Sequence, residues 1–172
     1  SNYVEKIARD TSQFFITKRW FGGTLTNWGT ISKSIKRLEL LEEKISKDEN
    51  KLQKKELLTL KREIDKLNNA IGGIRSMNTL PDLVVVLDTV KDKIAVQEAS
   101  KLKIPVLGIV DTNSDPNLVN FPIPGNDDAI RSIELYINLF TETINDAKKL
   151  DKNNLDEGGL TNPPKEKKLN KK

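Results

Sequence analysis

At 172 residues the chain is long enough for one domain with a real core and an appendage, and its 36% hydrophobic and 31% charged residues suit a globular body with exposed helices and a tail. It contains neither cysteine nor histidine, which excludes disulfide frameworks, thiolate metal sites and histidine-based acid–base or metal chemistry. The net charge of +4 comes wholly from Lys148–Lys172, where 8 lysines face 4 acids, so the rest of the chain is neutral and any anion-binding surface on it is a local patch.

No stretch approaches the roughly 20 apolar residues of a membrane span, and no secretory leader pattern opens the chain. Its first residues, without methionine, read as part of a helix over Tyr3–Arg9 with Val4, Ile7 and Ala8 apolar. Thr11–Thr17, around Gln13-Phe14-Phe15-Ile16, reads as a strand. Arg19-Trp20-Phe21-Gly22-Gly23-Thr24-Leu25-Thr26-Asn27-Trp28 holds both tryptophans and two adjacent glycines within ten residues. Gly-Gly between large aromatics does not suit a core strand. It suits a rigid irregular loop, with glycines permitting positive φ and tryptophans anchoring the ends. Lys18 and Arg19 lead into it, and Thr24, Thr26 and Asn27 add neutral donors, which together suit a polyanion backbone. The simpler alternative is a loop pinned to its own core.

Ile31, Ile35, Leu38, Leu41 and Ile45 then recur at 4, 3, 3, 4, and Leu57, Leu60, Ile64, Leu67 and Ile71 at 3, 4, 3, 4. Two such seams around the polar Ser46–Asn50 predict an antiparallel coiled-coil hairpin over 29–72, ended by Gly72-Gly73. Lys33, Lys36 and Arg37 share one face of its first helix at i, i+3, i+4. Such a triplet is by default a solvated face; beside the tryptophan–glycine loop it also suits structured RNA.

Beyond Pro81 the pattern changes. Leu83-Val84-Val85-Val86-Leu87 reads as a strand buried on both faces, Asp88-Thr89 as the cap of the next helix, and Ile104–Val110 as a second buried strand. Phe121–Pro124 is a short extended piece, and Asn126-Asp127-Asp128 caps a long amphipathic helix. This order predicts a right-handed, parallel α/β core over 1–28 and 73–148, with a disordered lysine-rich tail over 149–172. Two long strands are too few to bury both faces of such a sheet, so N-terminal strands are expected to be missing and supplied by a longer protein or a separate chain.

Asp88 and Asp111 fall just beyond the carboxyl ends of adjacent expected strands, where doubly wound folds place ligands. The alternative function is therefore a magnesium-dependent phosphoryl-transfer enzyme using Asp88 and Asp111. Against it, acids at strand ends commonly close turns, and no G-x-x-x-x-G-K-[ST] phosphate loop is present.

Across Asp10–Phe140 the chain resembles the small-subunit ribosomal protein two family in its bacterial and organellar form. The resemblance runs through Gln13-Phe14-Phe15, Arg19–Trp28, Ser34-Ile35-Lys36-Arg37-Leu38, Lys54-Lys55-Glu56, Leu67, Gly72-Gly73-Ile74, Leu80-Pro81-Asp82, Ile104-Pro105, Ile109–Pro116 and Ile123–Arg131. It implies a flavodoxin-like parallel sheet with an inserted coiled-coil hairpin and no catalytic residue, metal or cofactor. It implies binding to small-subunit ribosomal RNA near the head–body junction, beside neighbouring ribosomal proteins and with no membrane, in support of subunit assembly and translation. Charge and placement, rather than the family, nominate Lys18, Arg19, Trp20, Gly22, Gly23, Thr24, Asn27, Lys33, Lys36 and Arg37 as RNA contacts. Relatives begin with a further portion carrying a G-x-H-x-G-H-like segment and two more strands, which this chain lacks. Plastid relatives usually carry alanine where Gly125 stands. The richness in Lys, Asn and Ile favours a mitochondrial matrix, with bacterial cytoplasm or plastid as alternatives.

Overall fold

The computed structural model describes residues 2–48 and 53–157. Its elements run in the order α1 (Asn2–Asp10), α2 (Trp28–Asp48), α3 (Lys54–Ile71), β1 (Val84–Val86), α4 (Lys93–Lys101), β2 (Val106–Val110), β3 (Phe121–Pro124) and α5 (Ile130–Glu157). The three strands form one parallel sheet in the order β1-β2-β3, with Val85 opposite Leu107 and Ile109 opposite Ile123. The βαβ reading from Leu83 onward is thereby met, because apolar runs separated by a helix-length segment leave parallel pairing as the compact solution.

One core cluster lies between sheet and helix and contains Leu25, Val86, Val96, Ala99, Ile104, Val106 and Val119. A second, at the base of the helical pair, contains Ile35, Ile71, Ile74 and Met77. Helices α2 and α3 pack on each other, and ion pairs Arg37–Glu63 (2.6 Å) and Lys44–Glu56 (3.3 Å) show that they run antiparallel. The seam residues are the shaded ones, whereas Leu40 and Leu58, off the seam, are exposed. Among the described residues no helix is long and apolar enough to cross a membrane.

Three local expectations are corrected. Thr11–Thr17 is not a strand: Thr11 and Ser12 turn back on the end of α1, with Ser12 at φ 53°, and beyond them Phe15 N–H donates to the Gly73 carbonyl (3.1 Å), a single bond that does not grow into a ladder among the described residues. Strand β1 is not buried on both faces, since Leu83 and Val85 are each 44% exposed. Helix α4 starts at Lys93 rather than at Asp88-Thr89, because Asp88 Oδ1 accepts from Val90 N (3.0 Å) and Lys91 N (2.7 Å) and closes a turn instead. Asn126 does cap the approach to α5, its Oδ1 accepting from Asp128 N and Ala129 N. Helix α5 continues past the composition change at Lys149 to Glu157. The remainder of the expected tail, including Lys165, Lys167, Lys168, Lys171 and Lys172, lies outside the described residues, as does part of the Ser46–Asn50 turn.

Candidate nucleic-acid interface

The tryptophan–glycine loop joins the two cores. Trp20 packs against the sheet cluster and Trp28 against the hairpin cluster, so each end of the loop is anchored to a different body of apolar side chains. Between them the chain winds around the carboxylate of Glu98, which comes from α4 and is only 7% exposed. Glu98 Oε1 accepts from Gly23 N (2.7 Å) and Trp20 Nε1 (3.3 Å). Its Oε2 accepts from Leu25 N (2.9 Å), Thr26 N (2.9 Å) and Thr26 Oγ1 (3.0 Å). Burial alone raises a carboxyl pKa, but the amides of Thr26, Leu25 and Gly23 and the Trp20 indole outweigh it and hold Glu98 below its ordinary value.

The turn needs its glycine at one place: Gly23 has φ +91°, a conformation side chains other than glycine rarely adopt. Buried Thr24 donates both its amide (3.2 Å) and its hydroxyl (2.6 Å) to the Phe21 carbonyl. Asn27 N–H donates to the Gly23 carbonyl (2.9 Å), and Asn27 Oδ1 accepts from Thr30 Oγ1 (2.9 Å) at the start of α2.

These bonds sort the nominated residues. The donors of Trp20, Gly23 and Thr24 are engaged inside the protein, as is the hydroxyl of Thr26, and Asn27 shapes the start of α2. Lys18, Arg19 and Gly22 are exposed, and so are Lys33, Lys36 and Arg37 on α2. Arg37 also reaches Glu63 on α3, a largely solvent-facing pair of the kind that contributes little to stability, with Glu63 partly shaded. Glu98, which organises the loop, is absent from the expected set. One signal was available: it lies three residues after Ala95 and four before Leu102, a lone acid on the apolar side of α4.

At the carboxyl end of the sheet, Asp88 is tied to the Lys91 and Val90 amides and to Lys91 Nζ (2.9 Å). Burial pushes its pKa up, but the Lys91 amide, Lys91 ammonium and Val90 amide prevail and hold it below its usual value. Asp111 Oδ1 accepts from Thr112 N (2.6 Å) and its Oδ2 from Asp127 N (3.4 Å), which lowers its pKa. Asp127 is shifted upward by burial and by the charges of Asp88, Asp111 and Asp128. Asp88 thus closes a turn and Asp111 ties the end of β2 to the approach to α5, and among the described residues no group of three or more acids assembles that could hold a metal ion. The geometry gives the phosphoryl-transfer reading no support.

Comparison with known proteins agrees with the motif resemblance. The profile described as ribosomal protein S2 matches residues 1–147. A protein named small ribosomal subunit protein uS2 from Chelativorans sp. (strain BNC1) is 51% identical over 146 residues, 85% of this chain and 55% of that protein. Its namesake from Erythrobacter litoralis is 47% identical over 163 residues, 95% of this chain and 65% of the relative. That from Orientia tsutsugamushi is 50% identical over 143 residues, 82% of this chain and 49% of the relative. The chain thus spans about half to two thirds of the length of these curated relatives, all of them bacterial, and the mitochondrial preference finds no support among them. The chain belongs to the ribosomal protein S2 family.

Proposed function

We propose that this chain serves as a structural, non-catalytic constituent of the small ribosomal subunit, binding its RNA near the head–body junction and supporting assembly and translation beside neighbouring ribosomal proteins. What carries the reading is identity of about half over 85% of the chain to proteins named for that subunit. The physical means are the exposed cations Lys18, Arg19, Lys33, Lys36 and Arg37, which neutralise phosphates, and the open backbone at Gly22, which permits close approach. Trp20, Gly23, Thr24 and Asn27 support this surface by holding the loop's shape.

On the same reading the α/β domain comprises 1–28 and 73–148 and is flavodoxin-like, and 29–72 is a coiled-coil hairpin inserted into it. Residues 149–172 are a lysine-rich terminal segment whose first part, to Glu157, continues α5. The strands that complete the sheet come from the rest of a longer protein or from a separate chain; what supports this is that β1, among the described residues, is paired on one side only and offers an edge for them. The setting is a ribosome in a bacterial cytoplasm or in an organelle; the Lys-, Asn- and Ile-rich composition is what supports a mitochondrial one.

Sedimentation of the tagged chain on sucrose gradients tests the reading. The expected result is comigration with the small subunit that RNase abolishes. A combined Lys33→Ala, Lys36→Ala, Arg37→Ala variant should fold normally yet shift toward the top of the gradient, and normal incorporation of that folded variant would overturn the α2 assignment. Migration of the unsubstituted chain as a free protein in every condition would overturn the ribosomal reading.

A further inference from the structure

The loop around Glu98 leaves one large side chain unused. Phe21 is 50% exposed and belongs to neither core cluster. Its backbone is nonetheless held from both sides. The residue before it, Trp20, and the second residue after it, Gly23, both donate to Glu98 Oε1, and its own carbonyl accepts twice from Thr24. Next to it Gly22 is exposed, with nothing within 4 Å of where a Cβ would sit, so the space beside the ring's backbone is open. Lys18 and Arg19, both exposed, precede it in the chain.

An apolar ring kept in water on a rigid turn forgoes burial but loses little further backbone freedom when something covers it. Every nucleobase presents a face to such a ring, and exposed cations two and three residues earlier in the chain suit the phosphates that flank an unpaired base. A protein neighbour would bury the ring equally well, but Lys18 and Arg19 favour a polyanion.

We propose that Phe21 stacks on an unpaired base of small-subunit RNA, and that Glu98 is the positioning residue that holds Phe21 in place for it. The proposal rests on the ribosomal reading above and adds a contact that charge alone did not nominate.

The test uses the full chain and small subunits washed free of this protein, with affinity measured across a salt series and base reactivity mapped chemically. Phe21→Leu keeps apolar bulk and should weaken binding about tenfold. Phe21→Tyr should bind as the unsubstituted chain does. Neither should change the salt slope, because no phosphate contact is lost, whereas Lys18→Ala with Arg19→Ala should flatten it. One unpaired base should be protected by the unsubstituted chain and reactive with Phe21→Leu. Glu98→Gln, studied where circular dichroism shows it folded, should match Phe21→Leu, and the double variant should be no worse than either alone. Trp20→Phe, which removes one of the donors to Glu98, provides a milder version if Glu98→Gln does not fold.

Unchanged affinity of Phe21→Leu would overturn the stacking. Weakened binding with no newly reactive base would assign Phe21 to a protein neighbour and overturn the RNA contact. Additive losses in the double variant would make Glu98 a general stabiliser and overturn its positioning role. If the unsubstituted chain does not bind the washed subunits, the ribosomal reading fails and this proposal fails with it; binding with inert Phe21 variants defeats this proposal alone.

Discussion

Glu98 shows how one side chain decides the chemistry of a loop. Three backbone amides, an indole and a hydroxyl converge on it, so donors that look available to an external anion are already occupied by an internal one. Replacing the carboxylate by an amide turns one acceptor end into a donor facing buried N–H groups. Glu98→Gln should therefore cost about 3 kcal/mol, seen as a lower denaturant midpoint. The pH dependence has a definite sign. Because the folded pKa is below the ordinary 4.5, the stabilisation is fully present above about pH 4.5 and is lost as pH falls through the folded value. The stability gap between the unsubstituted chain and Glu98→Gln should accordingly be widest near neutrality and narrow in acid, as urea titrations at several pH values will show. That this segment is an irregular loop anchored at both ends was legible in its tryptophans and glycines. Its partner, more than seventy residues away in the chain, was not, since nothing in a local pattern says which distant helix will lie beneath a loop.

Helices and turns carry their own devices. Helix α4 ends in a pair of bonds, Ile104 N to Ala99 O (2.9 Å) and Lys103 N to Ser100 O (3.0 Å), with Lys103 at φ 59°. This is the geometry in which glycine usually closes a helix, and a lysine there bears a steric cost. Lys103→Gly should raise stability by about 0.5 kcal/mol, readable as an increase in Tm by calorimetry. Gly73 is the opposite case. A Cβ there would collide with the Phe15 carbonyl and ring, where the extended segment meets the hairpin exit, so Gly73→Ala should cost about 3 kcal/mol. At Gly125 the obstacle is the Tyr136 hydroxyl, the far end of a movable side chain, so Gly125→Ala should be nearly neutral in the same assay. The glycine pair was readable from sequence as a helix stop; that its second member is a contact surface for Phe15 was not, because it depends on a segment more than fifty residues earlier.

Taken whole, the sheet is narrow and uneven. Strand β2 is central and well shaded, while β1, among the described residues, has a partner on one side only, and Val85 and the preceding Leu83 are exposed. Amides in β1 should therefore exchange hydrogen about tenfold faster than those in β2 when this chain is studied alone. Supplying the remaining length of the relatives, fused or in trans, should slow exchange in β1 selectively if strands dock there. Equal protection of β1 and β2 in the isolated chain would mean that the edge is already covered. The three strands were legible as two apolar runs and a short extended piece; that one face of β1 is left open was not, since burial depends on which distant element packs there.

The sequence by itself determined the repeating features. The 3-4 spacing from Ile31 to Ile71, the two apolar runs after Pro81 and the cap at Asn126 each encode an element through contacts within a few residues. The ordered motifs from Gln13 to Arg131 were enough to indicate the family. Only the tertiary structure decided what the joints do. It showed that Thr11–Thr17 opens in a turn and forms no strand, that Asp88 closes a turn and Asp111 ties down the Asp127 amide, and that Glu98 fills the loop's amide nest while Phe21 is left outside. The physical reason is range. Periodicity and capping act between neighbours in the chain, whereas hydrogen-bond saturation and exposure depend on which distant groups folding brings together.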